Sequence, residues 1–293
     1  MNAPDSGLLE RLLGMVRVAR QGDGHCAFAA GDFCYRWQTE ASFPAPVRIW
    51  SDGMGMDRGF AWLNGDQLHL VTTDSSELLL AEMLGWGEGL AKDFSGMTGL
   101  SVPADDSGSR LRRLLTEKGY EAAEPTLIQR SLPLQRVPAM PDEPAGYSFE
   151  VVDDSLRAEG WAAAYRRAFA PEMMDLETRR NVSRCPLYRQ ELDLVTCDAS
   201  GQVVAFALVW FDELAGIGTF EPLGCIPEHR RKGLTRMLII EGITRLLVLG
   251  ARQAIVTTTG GRRPANLLYE SLGFRTERVI RVWRRPRAGN GHS

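Results

Sequence analysis

No run in this sequence approaches the roughly 20 uninterrupted apolar residues that cross a bilayer. Its opening, MNAPDSGLLERLLGMVRVAR, places acidic and basic residues where a secretory signal carries a clean apolar stretch. A cytoplasmic protein with no membrane partner is expected. Net positive charge is missing too: 34 Lys and Arg against 37 Asp and Glu leave −3, which supplies no broad field for neutralising phosphates. Nucleic acid is not expected as a partner. The five cysteines, at 26, 34, 185, 197 and 225, never form a C-x-x-C pair, and the four histidines, at 25, 69, 229 and 292, share no ligand spacing. Both patterns argue against a disulfide framework and against a structural or catalytic metal. His25 beside Cys26 is the one juxtaposition.

What is present is an ordinary globular composition, 44% apolar and 24% charged, over 293 residues. That length suggests two domains, each long enough to bury a core. Residues 135–146, QRVPAMPDEPAG, concentrate Pro with small and polar residues and read as a linker between domains at 1–134 and 147–285, followed by a tail at 286–293. In the first half, Leu9, Leu12, Leu13 and Val16 give an opening helix one apolar face. Strand-like runs follow at 47–50, 59–63 and 67–72, the last two joined by the hairpin turn Asn64-Gly65. A helix from Asp74 or Ser75 to Glu88, a strand at 99–102 and a helix at 107–118 stopped by Gly119 complete the half.

After the linker the same order returns. A strand at 147–152 and helices at 156–169 and 175–183 precede strands at 192–197, 203–210 and 218–226. Then come a long helix at 233–249, a strand at 253–258, a helix at 264–272 and a closing strand at 274–283. LTEKGYE at 115–121 holds the place that YESLGFRTE at 269–277 holds later, so the halves read as a diverged repeat. The expected class is α/β (α+β), each half a mixed twisted sheet flanked by helices.

The segment from Glu221 to Thr235 passes from an apolar strand through a basic turn into a long amphipathic helix. The first turn of a helix leaves N–H groups unpaired at the positive end of the macrodipole. Gly233 admits a phosphate to the backbone, and Arg230, Arg231 and Lys232 add charge. A solvated basic turn is the alternative. The two-glycine frame and the Gly-Lys-Ser/Thr ending of a Walker loop are missing.

Arg230-x-x-Gly233-x-Thr235 resembles the pyrophosphate loop of the GNAT acetyltransferase superfamily, Arg/Gln-x-x-Gly-x-Gly/Ala, with Thr replacing the last small residue. One helix and one strand later, Ala265-Asn-Leu-Leu268-Tyr269-Glu-Ser-Leu-Gly273-Phe274 resembles the family's Ala-x-x-Leu-Tyr-x-x-x-Gly-Phe pattern. The resemblance covers residues 147–285. It implies an acetyl-CoA-dependent N-acetyltransferase, without metal, acting on a primary amine of a small molecule or peptide. It assigns Glu221 as the base for the amine and Tyr269 as the acid for the departing thiol. Leu223 and Cys225 would offer backbone groups to the thioester and pantetheine, with Pro222 breaking the ladder. Arg230, Arg231, Lys232, Gly233, Leu234 and Thr235 would hold the pyrophosphate. Where the family often carries a coenzyme-contacting Asn, seven residues before the Tyr, this chain has Arg262, and Asn266 is the substitute.

Position in that fold gives Met173, Met174, Tyr188 and the loop at 213–217, together with the N-terminal half, to the acceptor, and Trp161 and Trp210 to the core. Glu221 as an ion-paired strand end and Tyr269 as packing are the structural alternatives. Cys225 lacks a basic neighbour other than His229 and is not read as a nucleophile. In the first half the corresponding loop, residues 72–77, has two acidic side chains and no glycine, and Leu115 stands where Tyr269 would. Residues 1–134 therefore read as a degenerate GNAT-like domain. A non-catalytic acyl-CoA-binding sensor is the alternative for the whole chain.

Overall fold

The computed structural model describes residues 6–39, 46–93, 99–153, 155–172 and 174–285. The first half runs α1 (Ser6–Gln21), α2 (Ala30–Thr39), β1 (Val47–Ser51), β2 (Asp57–Asn64), β3 (Gln67–Thr72), α3 (Glu77–Asp93), β4 (Ser101–Asp105), α4 (Ser109–Glu117) and β5 (Glu121–Pro133). The second runs β6 (Tyr147–Val151), α5 (Ser155–Phe169), α6 (Leu176–Val182), β7 (Asp193–Asp198), β8 (Val203–Asp212), β9 (Ile217–Cys225), α7 (Leu234–Val248), β10 (Gln253–Thr259), α8 (Arg263–Ser271) and β11 (Arg275–Arg284). The repeat expected from the sequence is present, offset by the extra leading strand β6.

The eleven strands of the described residues form one sheet in the order β1-β2-β3-β4-β11-β5-β10-β9-β8-β7-β6. Among them, only β3/β4 and β9/β10 pair in parallel. The centre of the sheet holds an exchange. β5, the last strand of the first half, pairs with β10 from Leu127 to Pro133, while β11, the last strand of the second half, pairs with β4 and β5. Each half thus completes the other's sheet, and the segment at 135–146 divides the halves along the chain without separating them in space.

Two elements were not read from the sequence. α2 is buried at Ala30, Gly31, Asp32, Phe33, Cys34, Tyr35 and Trp37, so it lacks the contrast between a solvent face and a core face that makes a helix visible as a period. β5 contains Pro125, which argues against a central strand. The strand tolerates it through a bulge: Arg281 pairs with Thr126 and Val282 with Ala123, leaving Glu124 and Pro125 outside the β11 ladder, and the β10 ladder begins only at Leu127.

The cores cross the halves as the strands do. One cluster joins Leu12, Leu13, Phe33, Trp37 and Trp62 of the first half to Trp161, Phe206 and Trp210 of the second. Trp161 and Trp210 are core residues, as expected. α2 lies so close to β8 and β9 that a Cβ on Gly31 would stand 2.6 Å from Trp210 Cβ and 2.7 Å from Thr219 Cβ. On the opposite face, α7 meets the same strands at Gly242, where a Cβ would stand 2.7 Å from the Phe220 ring. Strand alternation therefore gives Thr219 and Trp210 to the α2 side, and Phe220 and Val209 to the α7 side.

Candidate active site

β9 and β10 share a ladder only from Ile217–Phe220 to Gln253–Val256 and then part. At the parting point β9 gains one residue on β8: Ala207 pairs with Leu223 and Val209 with Phe220, so Glu221 and Pro222 form a bulge. Pro222, lacking an N–H, disturbs the ladder where the sequence suggested it would. Beyond the bulge, the Ile226 N–H donates to the Val204 carbonyl of β8 at 3.0 Å. Backbone groups alternate sides along a strand, so those of Leu223 and Cys225 turn away from β8 toward the gap.

A cavity of about 480 Å³ fills the gap. Glu221 and Tyr269 both line it. Tyr269, on α8, is 6% exposed; burial pushes its hydroxyl above the ordinary tyrosine pKa, the nearby Glu221 carboxylate adds to the rise, and Arg262 opposes it. Glu221 is half-buried, and its carbonyl is held by the Trp210 indole N–H at 2.5 Å. Its carboxylate acts on Tyr165 as well as on Tyr269. The two residues singled out from sequence thus share one cavity and one electrostatic environment. Cys225 carries a thiol pushed up to about 11 by burial, which keeps the nucleophilic thiolate scarce at neutral pH.

The basic loop leads into α7 through Gly233, in the left-handed region at φ +81°, and no side chain caps the helix N-terminus. A Cβ built on Gly233 meets nothing within 4 Å, so its backbone faces open space. Leu234 is buried at 1%, leaving only its N–H for a ligand, and Thr235 is half-buried. Arg231 is exposed. Lys232 donates to the Tyr147 hydroxyl at 2.7 Å, which also meets His229 Nδ1 at 2.9 Å. Arg230 differs from the expectation of a free cation. Its Nε donates to the Cys225 carbonyl at 3.1 Å and its Nη2 to the Ala168 carbonyl at 3.2 Å, so it fastens the loop to β9 and to the end of α5.

Three further expectations are corrected. Asn266 is buried; its amide donates to the carbonyls of Thr259, Gly260 and Arg262, and its oxygen accepts from Arg130 of β5. With both ends of the amide spent on the β10–α8 turn, it has nothing left for a coenzyme. Tyr188 donates to Asp193 at 2.9 Å, beside the buried Arg179–Asp193 pair, and is absent from the cavity lining. The loop at 213–217 also lies outside that lining; Glu213 pairs with Arg189 and the Arg252 guanidinium reaches the Ala215 carbonyl. Met174 does line the cavity, and Met173 lies outside the described residues.

Sequence reasoning missed the wall opposite Tyr269. Asp32, Tyr35, Arg36 and Thr39 of α2 all line the cavity, at the 3-4-7 spacing of one helix face. From α5 come Tyr165, whose hydroxyl donates to Glu172 at 2.9 Å, and Phe169, over whose ring Arg262 lies at 5.6 Å. The 3-4-7 spacing was available in the sequence, but it is polar and was hidden by the failure to read α2 as a helix.

The corresponding gap in the first half is closed. β3 and β4 share only the pair Gln67–Ser101. Thr72 pairs with Gly59 on the β2 side, and on its other side exchanges two backbone bonds with His25, at 3.1 and 2.9 Å. The segment Gly24–Cys26 therefore occupies the space between β3 and β4, with Gly24 so close that a Cβ would lie 2.1 Å from the Thr72 carbonyl oxygen. A smaller cavity of about 280 Å³ remains beside it, lined by Asp23, Asp74, Asp105, Arg110 and Arg278 among others. No group of His, Cys, Asp and Glu among the described residues could hold a metal ion, and no helix among them is long and apolar enough to cross a membrane.

Comparison with known proteins agrees with this geometry. The family model described as acetyltransferase (GNAT) family matches residues 158–274. No curated protein matches the chain in sequence. Among solved structures, a GCN5-related N-acetyltransferase from Sphaerobacter thermophilus superposes with a TM-score of 0.66 at 18% identity, covering 97% of this chain and 95% of that one. A tandem GNAT protein from the clavulanic acid biosynthesis pathway superposes with a TM-score of 0.65 at 15% identity, covering 97% and 96%. A GCN5-related N-acetyltransferase from Kribbella flavida follows at 0.58 and 16%, covering 94% and 95%. With both motifs placed around the gap between β9 and β10, residues 158–274 match the acetyltransferase (GNAT) family, in a chain whose overall fold is shared with a tandem GNAT protein.

Proposed function

We propose that the protein transfers an acetyl group from acetyl-CoA to a primary amine of a small molecule or peptide, with 147–285 as the catalytic half and 1–134 as a degenerate half that binds no coenzyme. The observation that carries this reading is the meeting of Glu221 and Tyr269 in one cavity at the parting of β9 and β10. The residues present suit the coenzyme. Gly233 offers an open backbone, the α7 N-terminus is uncapped, and Arg231 and Lys232 are exposed beside it.

When bound, acetyl-CoA supplies the thioester whose acyl group is transferred. Glu221 takes the proton of the amine nitrogen, directly or through a water, leaving a lone pair for attack. The Leu223 N–H, turned into the gap, is a donor for the carbonyl oxygen as charge develops there. Tyr269, whose raised pKa keeps it protonated, delivers its hydrogen to the departing sulfur. A cytoplasmic setting fits this reading.

The test is release of free thiol from acetyl-CoA against a panel of primary amines, together with calorimetric binding. Amine-dependent thiol release and one coenzyme per chain support the proposal. Binding without transfer to any amine would leave a sensor, and two equivalent sites would refute the degenerate first half.

A further inference from the structure

α2 belongs to the first half in sequence and to the second half in function. Gly31 packs it onto Trp210 and Thr219 with no room for a Cβ, which fixes the register of the next residue. Asp32 is 4% exposed and lines the same cavity as Glu221 and Tyr269. Its Oδ2 accepts from the Thr257 hydroxyl at 3.0 Å and from the Ala29 N–H at 3.3 Å. Thr257 sits on β10 one residue past Val256, where the ladder with β9 ends, so the carboxylate is tied to the edge of the gap. Its Oδ1 is buried and makes no hydrogen bond to any described residue.

A buried carboxylate oxygen left without a partner is costly, and an ammonium N–H gives a bond roughly twice as strong as a neutral donor. Around Asp32 the cavity holds two more carboxylates, Glu172 and Glu221, against the guanidinium groups of Arg36 and Arg262; Arg36 and Arg20 both lie within electrostatic range of Asp32, and burial still pushes its carboxyl above the usual range. Tyr269 and Val256 belong to the core under α7 and α8, while Asp32 comes from the opposite face. The cavity lies between these two faces.

We propose that Asp32 is a specificity residue contributed by the first half, anchoring a second cationic nitrogen of the acceptor while Glu221 serves the reacting one. The substrate class is then compact amines with two basic nitrogens. This rests on the acetyltransfer reading above and names its acceptor. The exchange of elements between the halves acquires a purpose: a degenerate half without a coenzyme site supplies the wall that selects the amine.

The probes are 1,4-diaminobutane and butylamine, matched in length and differing in one ammonium group. Calorimetry on the coenzyme-A-saturated protein measures binding of each, and thiol release from acetyl-CoA gives the ratio of their kcat/KM values. The parent should favour the diamine by about tenfold or more, and Asp32→Asn, which keeps the shape and removes the charge, should erase most of that preference. Thr257→Val, which frees Asp32 from β10, should reduce the preference in part, and it decides the matter if Asp32→Asn fails to fold. Equal binding of the two amines by the parent, or an undiminished diamine preference in a folded Asp32→Asn, overturns the proposal. Failure to take up coenzyme would instead sink the acetyltransfer reading, and the same two amines titrated into the coenzyme-free protein then decide the role of Asp32.

Discussion

Tyr269 has two neighbours that pull its proton in opposite directions, and burial decides between them. The Glu221 carboxylate and desolvation raise the hydroxyl pKa; Arg262 lowers it by less. A free phenol is half ionised near pH 10, so the folded protein should still hold this proton at that pH. Tyr269→Phe keeps the ring against Phe274 and removes the donor. We expect kcat to fall by about 10² or less with coenzyme affinity unchanged, and unaltered turnover on a good amine would return Tyr269 to the core. Gly233 enters α7 with a φ of +81°: a non-glycine residue there costs roughly 1–2 kcal/mol of stability, although nothing stands in the way of its Cβ. Gly233→Val should lower both Tm and coenzyme affinity, so the affinity loss must be measured at a temperature where the variant is fully folded. Arg230 and Arg231 offer a cleaner contrast. Arg230→Ala frees the Cys225 and Ala168 carbonyls and should lower Tm, whereas Arg231→Ala should weaken acetyl-CoA binding severalfold with Tm unchanged.

Between elements, one first-half side chain holds the helix that carries Tyr269. Arg130 of β5 is 6% exposed and reaches Asn266 and Glu270 of α8 and Thr276 of β11. Arg130→Ala leaves the Asn266 oxygen buried without its donor, and we expect a loss of about 2–3 kcal/mol in urea unfolding. A loss below 0.5 kcal/mol would mean that the turn holds by itself. The plug in the first-half gap has its own signature. His25 is buried, its Nε2 lacks a partner among the described residues, and desolvation lowers its pKa to about 4. The unfolded chain binds that proton near pH 6.5 and the folded one does not, so stability present above pH 6.5 is lost as pH falls toward 4, by about 3 kcal/mol at most. His69, also buried and lowered, slopes the same way. His25→Gln should flatten part of the stability decline between pH 6.5 and 4 in denaturant titrations, and an unchanged slope would show that His25 is not buried neutral. The second half was legible at this scale because each strand and helix there carries a period, a turn residue or a motif. α2 and β5 were not, since a mostly buried helix whose polar stripe faces a cavity shows no contrast between core and solvent, and a proline-bearing strand is central only through its bulge. Asn266 misled for a related reason: its place in the motif is visible in the sequence, but the arginine that consumes its amide comes from β5, 136 residues away.

At the scale of the whole molecule, the division at 135–146 describes how the chain is written, and the sheet describes how it holds together. A fragment starting after that segment keeps β6 to β11 but loses β5, which pairs with both β10 and β11. Two central strands would then face each other across an empty place, with their backbone groups and the apolar faces around Ile255 and Ile280 unpaired. The fragment 1–134 fares no better, because β4 loses β11 and the helices α1 and α2 lose Trp161, Phe206 and Trp210 from their shared core. We therefore expect neither 1–134 nor 147–285 to give a cooperative unfolding transition alone, the intact chain to unfold in one transition, and co-expressed fragments to assemble one to one and regain coenzyme binding. Calorimetric scans of the three preparations decide it. Two separated transitions in the intact chain, or a 147–285 fragment that melts cooperatively and binds acetyl-CoA like the parent, would show that the exchanged strands are not what stabilises the second half. The sequence could not have indicated this, because exchanged and unexchanged arrangements use the same strands, the same alternation and the same turns, and differ only in which partner fills the central place.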